Sequence, residues 1–249
     1  MKPIALQLYS VRDAAAADLA GVLKQVASFG YVGVEFAGLY GHAPAEVKKI
    51  VDGLGLQVAS AHMPLPTADN AAQLIDECGV LGVKKLVSGY GPDQFKTLDG
   101  ARTAAAAFQQ AADLLKPAGL SFGMHNHWWE FEQVEGQTVA DVVLAAAPDI
   151  FSELDVYWAE VGCGDAAGSV ARLASRAKLL HIKDGPVEPK QPMTAVGAGA
   201  LDIPKIIAAA DPKVTEWLIV ELDSCGTDML EAVRDSAKFL IDNGLGQGR

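Results

Sequence analysis

The sequence predicts an α/β fold, a (β/α)8 TIM barrel, because eight apolar or alternating segments are each followed by a segment with helical spacing of apolar residues. The chain has 249 residues, half of them hydrophobic, which is typical of a single barrel domain over residues 1–249. Ligand-type side chains follow several of the eight segments. Barrel enzymes gather such side chains at the carboxyl ends of their strands.

The predicted strands are Ile4–Ser10, Val32–Ala37, Val58–Met63, Lys85–Gly89, Ser121–His127, Phe151–Val156, Leu179–Lys183 and Trp217–Leu222. In the first strand, Ile4, Leu6 and Leu8 would face the surrounding helices. The residues between them would face a partly polar barrel interior: Ala5, Gln7 and Tyr9. An open doubly wound sheet is the alternative, but no glycine-rich turn follows the first strand.

Composition and charge restrict the partners. A net charge of −11 repels polyphosphate backbones, so nucleic acid is not expected as a partner. There is neither a signal segment nor an apolar run of membrane-spanning length, so we expect a cytoplasmic protein with no membrane partner. Cys78, Cys163 and Cys225 show no paired spacing and are expected to be free thiols. Whether the chain forms a homo-oligomer stays open.

Six of the predicted strands end in acidic, imidazole or amino side chains: Glu35, His62, His125, His127, Asp155, His181, Lys183 and Glu221. Any one of them alone would more often be a satisfied interior polar group. Together they place like charges side by side, a cost that a divalent cation relieves. Without a thiolate or thioether, the cation would be Mn, Mg, Co or Zn. Trp128 and Trp129 would either stack on a sugar or pack against a helix.

These residues lie in motifs that resemble a known family. The motifs are Gln7–Arg12, Gly33–Phe36, Ser60–Pro64, His125–Phe131, Leu154–Trp158, His181–Asp184 and Ile219–Glu221. In this order they resemble the sugar phosphate isomerase/epimerase family, the xylose isomerase-like TIM barrels of the AP endonuclease family 2 superfamily. The resemblance extends over essentially the whole chain. The acidity of the chain argues against the activity of endonuclease IV, a relative with the same barrel.

The resemblance implies a divalent metal held by a Glu, an Asp, a His and a second Glu. Asp155, His181 and Glu221 match the last three ligands. In the ketose 3-epimerases the first Glu lies at the position that Gly123 occupies in this chain, so the ligand is absent from its usual place. Glu130 matches the Glu that follows the His-Asn-His pattern in other members of the family. His127 or His125 would substitute if Glu130 does not bind the metal.

The resemblance also implies a metal-dependent sugar isomerase or epimerase that removes a proton next to a carbonyl. Glu221 and Glu130 would move the proton, while His62, His127 and Lys183 would hold substrate oxygens. The remaining residues expected to contact a small carbohydrate are Tyr9, Glu35, His125 and Trp128. The alternatives are a keto-sugar or inosose dehydratase or 3-keto-glycoside lyase with the same metal site, and a non-catalytic sugar-binding barrel.

Overall fold

Eight parallel strands close into a barrel in the computed structural model, which describes residues 1–249. The strands are β1 Lys2–Gln7, β2 Gly33–Ala37, β3 Gln57–His62, β4 Lys85–Ser88, β5 Ser121–His125, β6 Phe151–Asp155, β7 Ala177–Ile182 and β8 Trp217–Val220. Each strand pairs with the next one in chain order, and β8 pairs with β1 through Leu218 opposite Ile4. The predicted (β/α)8 barrel is therefore confirmed.

Nine α-helices surround the barrel. They are α1 Arg12–Ser28, α2 Pro44–Gly53, α3 Ala71–Leu81, α4 Leu98–Leu115, α5 Val139–Ala146, α6 Val156–Cys163, α7 Ala166–Leu173, α8 Ile203–Ala208 and α9 Met229–Asp242. Two of them, α6 and α7, follow β6, so the alternation of strand and helix is not strictly one to one. No helix has both the length and the apolar composition that crossing a bilayer demands.

The apolar core has two layers, one on each side of the barrel wall. Ile4 and Leu6 belong to the layer between the strands and the helices, whereas Ala5 belongs to the smaller cluster inside the barrel. This is the alternation predicted for β1. Two large rings fill the interior beside glycines: a Cβ on Gly123 would lie 2.2 Å from the ring of Phe151, and Gly33 lies against Trp217.

Several strands end earlier than predicted. β1 stops at Gln7 because Leu8–Val11 forms a 3-10 helix, which begins where the Gln7 side chain accepts the N–H of Tyr9 at 3.1 Å. Tyr9 is therefore not an interior residue; it is 44% exposed. β5 stops at His125, and beyond it the Asn126 side chain bonds both the N–H and the C=O of Asp155. A side chain thus replaces the last step of the strand pairing.

Two register shifts direct side chains towards the site. One lies between Val34 and Glu35 in the pairing of β2 with β3. The other lies after Ser152 in the pairing of β6 with β7, and beyond it Asp155 lies opposite His181. Bulges of this kind change the direction of side chains next to functional sites.

Candidate active site

The carboxyl ends of the strands surround a cavity of about 520 Å3. It is lined by Gln7, Tyr9, Ala37, Gly38, His62, Met63, Pro64, Val87, Ser88, Gly89, His125, His127, Glu221 and Asp223. Five residues that the sequence analysis selected are among them: Tyr9, His62, His125, His127 and Glu221. The cavity therefore lies where a barrel enzyme binds its substrate.

Glu35 lies beneath the cavity and has no exposed surface. Its carboxylate accepts hydrogen bonds from the side chains of Gln7 and Ser60. It also lies 3.2 Å from Nε2 of His62 and 3.0 Å from Nε2 of His181. We expected Glu35 to contact the substrate, but it does not line the cavity. Instead, it holds two histidines from below.

Glu153 is a central residue of the site that the sequence analysis did not select. Its carboxylate contacts His62 and lies 3.2 Å from Nδ1 of His125 and 3.3 Å from Nε2 of His181. Glu153 precedes Asp155 by two positions in β6, so strand alternation turns both side chains inward. Counting back two residues from Asp155 by the same alternation would have identified Glu153.

Lys183 is buried among carboxylates directly after β7. Its ammonium nitrogen lies 2.9 Å from Asp155, 2.7 Å from Glu221 and 2.9 Å from Asp223. We expected Lys183 to hold a substrate oxygen. In the structure its ammonium lies between three carboxylates and donates a hydrogen bond to Oδ2 of Asp223.

These contacts shift the pKa values of the side chains in the site. Burial lowers the pKa of His62, but the carboxylates of Glu153 and Glu35 outweigh it and raise the pKa to about 9. Burial likewise opposes the charge of His181, and Glu153, Glu35 and Glu221 raise its pKa well above the usual value. Burial would raise the pKa of Glu221, yet Lys183 and His181 hold it well below the ordinary range.

In three other residues of the site, burial outweighs the neighbouring charges and sets the direction of the pKa shift. Burial, followed by the charge of Lys183, lowers the pKa of His127 to about 4. Burial also lowers the pKa of His125 well below its usual value. Burial raises the pKa of Glu130 to about 8. The rings of His62 and His125 lie 5.0 Å apart, yet their pKa values shift in opposite directions.

Two overlapping groups of side chains have the spacing of metal ligands. One comprises His125, Asp155, His181 and Glu221, and the other comprises His62, His125, Glu153 and His181. Within each group the ligand atoms lie within 4.8 Å of one another. Oε1 of Glu153 is buried without a hydrogen-bond partner, which leaves a carboxylate oxygen free. Imidazole nitrogens and carboxylate oxygens suit Mn, Mg, Co or Zn, so the residues present fit such a cation.

Glu130, the expected first ligand, lies outside both groups. It is buried, and its Oε2 accepts the backbone N–H of His127 at 2.8 Å. The bond fixes the loop after β5 and keeps the carboxylate away from the other ligand atoms. His125 takes its place in the group, as one of the two substitutes named above. Gly123 offers no alternative, because the Phe151 ring occupies the space of a side chain there.

Trp128 does not line the cavity. Its ring packs on Trp158 and Trp129, with centroids 5.0 and 4.6 Å apart, so the packing alternative describes it better than stacking on a sugar. Trp129 in turn stacks on the ring of His127 at 4.3 Å. The tryptophans therefore support His127 at the cavity wall.

Comparison with known proteins agrees with the fold. A sugar phosphate isomerase/epimerase from Parabacteroides distasonis is 28% identical; the match covers 96% of this chain and 93% of that one, with a TM-score of 0.82. L-Ribulose 3-epimerase is 18% identical over 98% of this chain and 95% of its own, with a TM-score of 0.71. The IOLI protein, solved with a zinc atom, is 14% identical over 98% of each chain, with a TM-score of 0.74. At 18% and 14% identity, the last two show the fold alone.

No curated protein sequence matches the chain. The xylose isomerase-like TIM barrel profile, however, matches residues 23–243. This match extends over nearly all of the strands and helices that build the cavity, and with it the chain belongs to the xylose isomerase-like TIM barrel family.

Proposed function

We propose that the protein is a divalent-metal-dependent sugar isomerase or epimerase that removes a proton next to a carbonyl. The observation that carries the proposal is the group His125, Asp155, His181 and Glu221, whose ligand atoms lie within 4.8 Å of one another at the barrel mouth. The relative from Parabacteroides distasonis, described as a sugar phosphate isomerase/epimerase, supports it. The zinc atom of the IOLI protein supports the use of a metal.

His125, Asp155, His181 and Glu221 would hold the metal. Once bound, a divalent cation polarises a carbonyl and stabilises the negative charge that develops when the neighbouring carbon loses its proton. Glu221 lines the cavity with its carboxylate 2.7 Å from the Lys183 ammonium. We assign it to take the proton, because it is the one carboxylate that both lines the cavity and belongs to the ligand group, next to the carbon that the metal would activate.

The histidines of the cavity would handle the substrate oxygens. His62 faces the cavity with Glu153 and Glu35 behind it, so its ring is oriented by carboxylates on the side away from the substrate. His127 faces the same space and is held in place by its stacking on Trp129. We assign His62 and His127 to hydrogen bonds with hydroxyl or carbonyl oxygens next to the reacting carbon.

Elimination by a keto-sugar dehydratase or lyase is the second candidate. It starts with the same proton removal and then needs an acid for the leaving oxygen. Two histidines of the cavity lining, His62 and His127, lie outside the proposed ligand group and would be available as the acid, whereas no carboxylate lies at the Gly123 position. A base together with two histidines supports an elimination as well as an isomerisation.

The experiment is a metal-reconstitution assay. Chelator-treated protein would be reloaded separately with Mn, Mg, Co or Zn and incubated with ketoses, aldoses, inososes and 3-keto-glycosides, and products would be identified by NMR. We expect turnover only after reloading, with the product separating isomerisation, epimerisation and elimination. Equal turnover by the chelated protein would contradict the metal, and binding without turnover of any compound would favour the sugar-binding barrel.

A further inference from the structure

We infer that the substrate is an unphosphorylated carbohydrate and that the cavity excludes phosphate monoesters. The inference rests on the proposed function and narrows its substrate class. It starts from the cavity lining, which contains no arginine or lysine but does contain the carboxylates of Glu221 and Asp223. Proteins that bind phosphate normally present guanidinium, ammonium or backbone N–H donors to it.

The wall opposite those carboxylates is almost neutral. Beyond His62, the ends of β2, β3 and β4 contribute Met63, Pro64, Val87 and glycines, and Ser88 has the one side-chain hydroxyl on this wall. A sugar with its carbonyl end near Glu221 would place its far end against this wall. His62 is the one side chain of the lining whose pKa is raised into the cationic range, and it is paired with Glu153 and Glu35. A phosphate dianion at this wall would therefore lose its hydration without gaining an unpaired cation.

Backbone donors that could replace the missing cations are already occupied. Barrel enzymes frequently bind phosphate with the loops after strands 7 and 8. In the loop after β7, Oδ1 of the buried Asp184 accepts the N–H groups of Gly185 at 2.8 Å and Leu201 at 3.1 Å. Oδ2 accepts those of Gly197 at 2.9 Å and Gly199 at 3.1 Å. One internal carboxylate therefore fills the anion site that this loop would otherwise form.

The same is true of the helices that follow these loops. Asp202 accepts the N–H of Lys205 at the start of α8, and Asp228 accepts the N–H of Glu231 at the start of α9. Glu231 adds a carboxylate to the first turn of α9. Acidic side chains thus already occupy the electropositive ends of both helices.

Besides His62, the two cations nearest the cavity are also engaged. Arg12 stacks on the Tyr9 ring at 4.2 Å and donates to the backbone carbonyls of Tyr9 and Asp223. Lys183 lies within 2.9 Å of three carboxylates. Freeing either cation for a phosphate would break contacts that it already makes.

The test compares matched pairs of ligands by calorimetry with the metal-loaded protein. The pairs are D-fructose with D-fructose 6-phosphate and D-ribulose with D-ribulose 5-phosphate, and inorganic phosphate is a separate probe. We expect the free sugar of at least one pair to bind at least about tenfold more tightly than its phosphate ester, because like charges oppose each other across a binding site. A panel in which no free sugar exceeds its ester, or saturable binding of inorganic phosphate in the cavity, overturns the inference.

A variant pair tests the cause. Ser88→Lys adds an ammonium to the neutral wall, and Ser88→Gln adds a neutral side chain of comparable reach. We expect Ser88→Lys to bind the phosphate esters up to about fivefold more tightly than Ser88→Gln does, since a single exposed ion pair contributes up to about 1 kcal/mol. Equal affinities would contradict the argument from charge.

The outcome stays separate from that of the proposed function. Deuterium exchange into a sugar phosphate but not into a free sugar would overturn the substrate class and leave the proton chemistry intact. Tight binding of a free sugar without deuterium exchange or turnover would support the substrate class and contradict the proton chemistry.

Discussion

Lys183 is the cation that the buried carboxylates of the site share. It lies within 2.9 Å of Asp155, Glu221 and Asp223, and these contacts raise its pKa well above the usual value although burial lowers it. Removing one partner of a buried ion pair leaves the other charge without compensation. Lys183 therefore stabilises the metal-free site, and a bound divalent cation would share that role with it.

The first prediction concerns Lys183→Met. In the presence of a chelator we expect the free energy of unfolding to fall by about 3–5 kcal/mol, because the carboxylates lose their cation. Lys85→Met is the control: Lys85 pairs with Glu216 near the surface, and its loss should cost less than about 1 kcal/mol. Urea denaturation at neutral pH measures both. Equal losses in the two variants would show that the buried network does not depend on Lys183.

The second prediction separates Glu130 from His125 as the first metal ligand. His125→Ala and Asp155→Ala should lose most of the bound metal, because each removes a charge or a donor from the ligand group. Glu130→Gln should keep it, since Glu130 bonds the backbone of His127 instead. Metal content per chain after dialysis is the measurement. If His125→Ala retained one metal ion per chain and Glu130→Gln retained none, Glu130 would be the ligand instead of His125.

At the scale of the elements, the packing of β5 against β6 decides which side chains reach the mouth. Phe151 begins β6 inside the barrel, and its ring fills the space beside Gly123 in β5. Glu153 and Asp155 follow at alternate positions and so reach the carboxyl end. Gly123 in β5 therefore leaves the space that the large Phe151 ring of β6 occupies.

The third prediction is that Gly123→Ala destabilises the protein by about 1–3 kcal/mol, because the added Cβ would lie 2.2 Å from the Phe151 ring. Gly79→Ala in α3 is the control, where a Cβ meets nothing within 4 Å and should stabilise the helix by about 0.5–1 kcal/mol. Adding Phe151→Leu to Gly123→Ala should recover part of the loss. Additive effects in this double-mutant cycle would count against the proposed contact.

Periodicity predicted the strands and their inward faces, and local side-chain bonds explain the errors. The end of β1 depends on the bond from the Tyr9 backbone to Gln7, and the end of β5 on the side chain of Asn126. Neither bond can be predicted from the spacing of apolar residues. Glu153 was within reach of the alternation argument, but the position of Glu130 was not, because it depends on how the loop after β5 turns back on His127.

At the scale of the whole molecule, buried ionisable groups make stability depend on pH. Burial raises the pKa of Glu130 to about 8. A carboxyl group whose folded pKa is raised favours the folded state below its ordinary pKa. That contribution is lost as the pH rises through the folded value, because the unfolded chain releases the proton more readily.

The fourth prediction follows from this loss of stability as the pH rises. Between about pH 4.5 and pH 8 the stability of the protein should fall relative to that of Glu130→Gln, by on the order of 4 kcal/mol, since the pKa of Glu130 rises from 4.5 to about 8 and one pKa unit corresponds to about 1.4 kcal/mol. Glu130→Gln keeps a neutral side chain of the same shape over that range. Urea denaturation of both proteins at several pH values is the measurement, and parallel curves would contradict the raised pKa.

The central claim is that the residues at the barrel mouth remove a proton next to a sugar carbonyl. Turnover of the substrate in deuterated water by the metal-loaded protein, followed by NMR of product and remaining substrate, tests it most directly. We expect deuterium on the carbon next to the carbonyl, or a kinetic isotope effect when that carbon carries deuterium at the start. Turnover that shows neither would contradict proton abstraction.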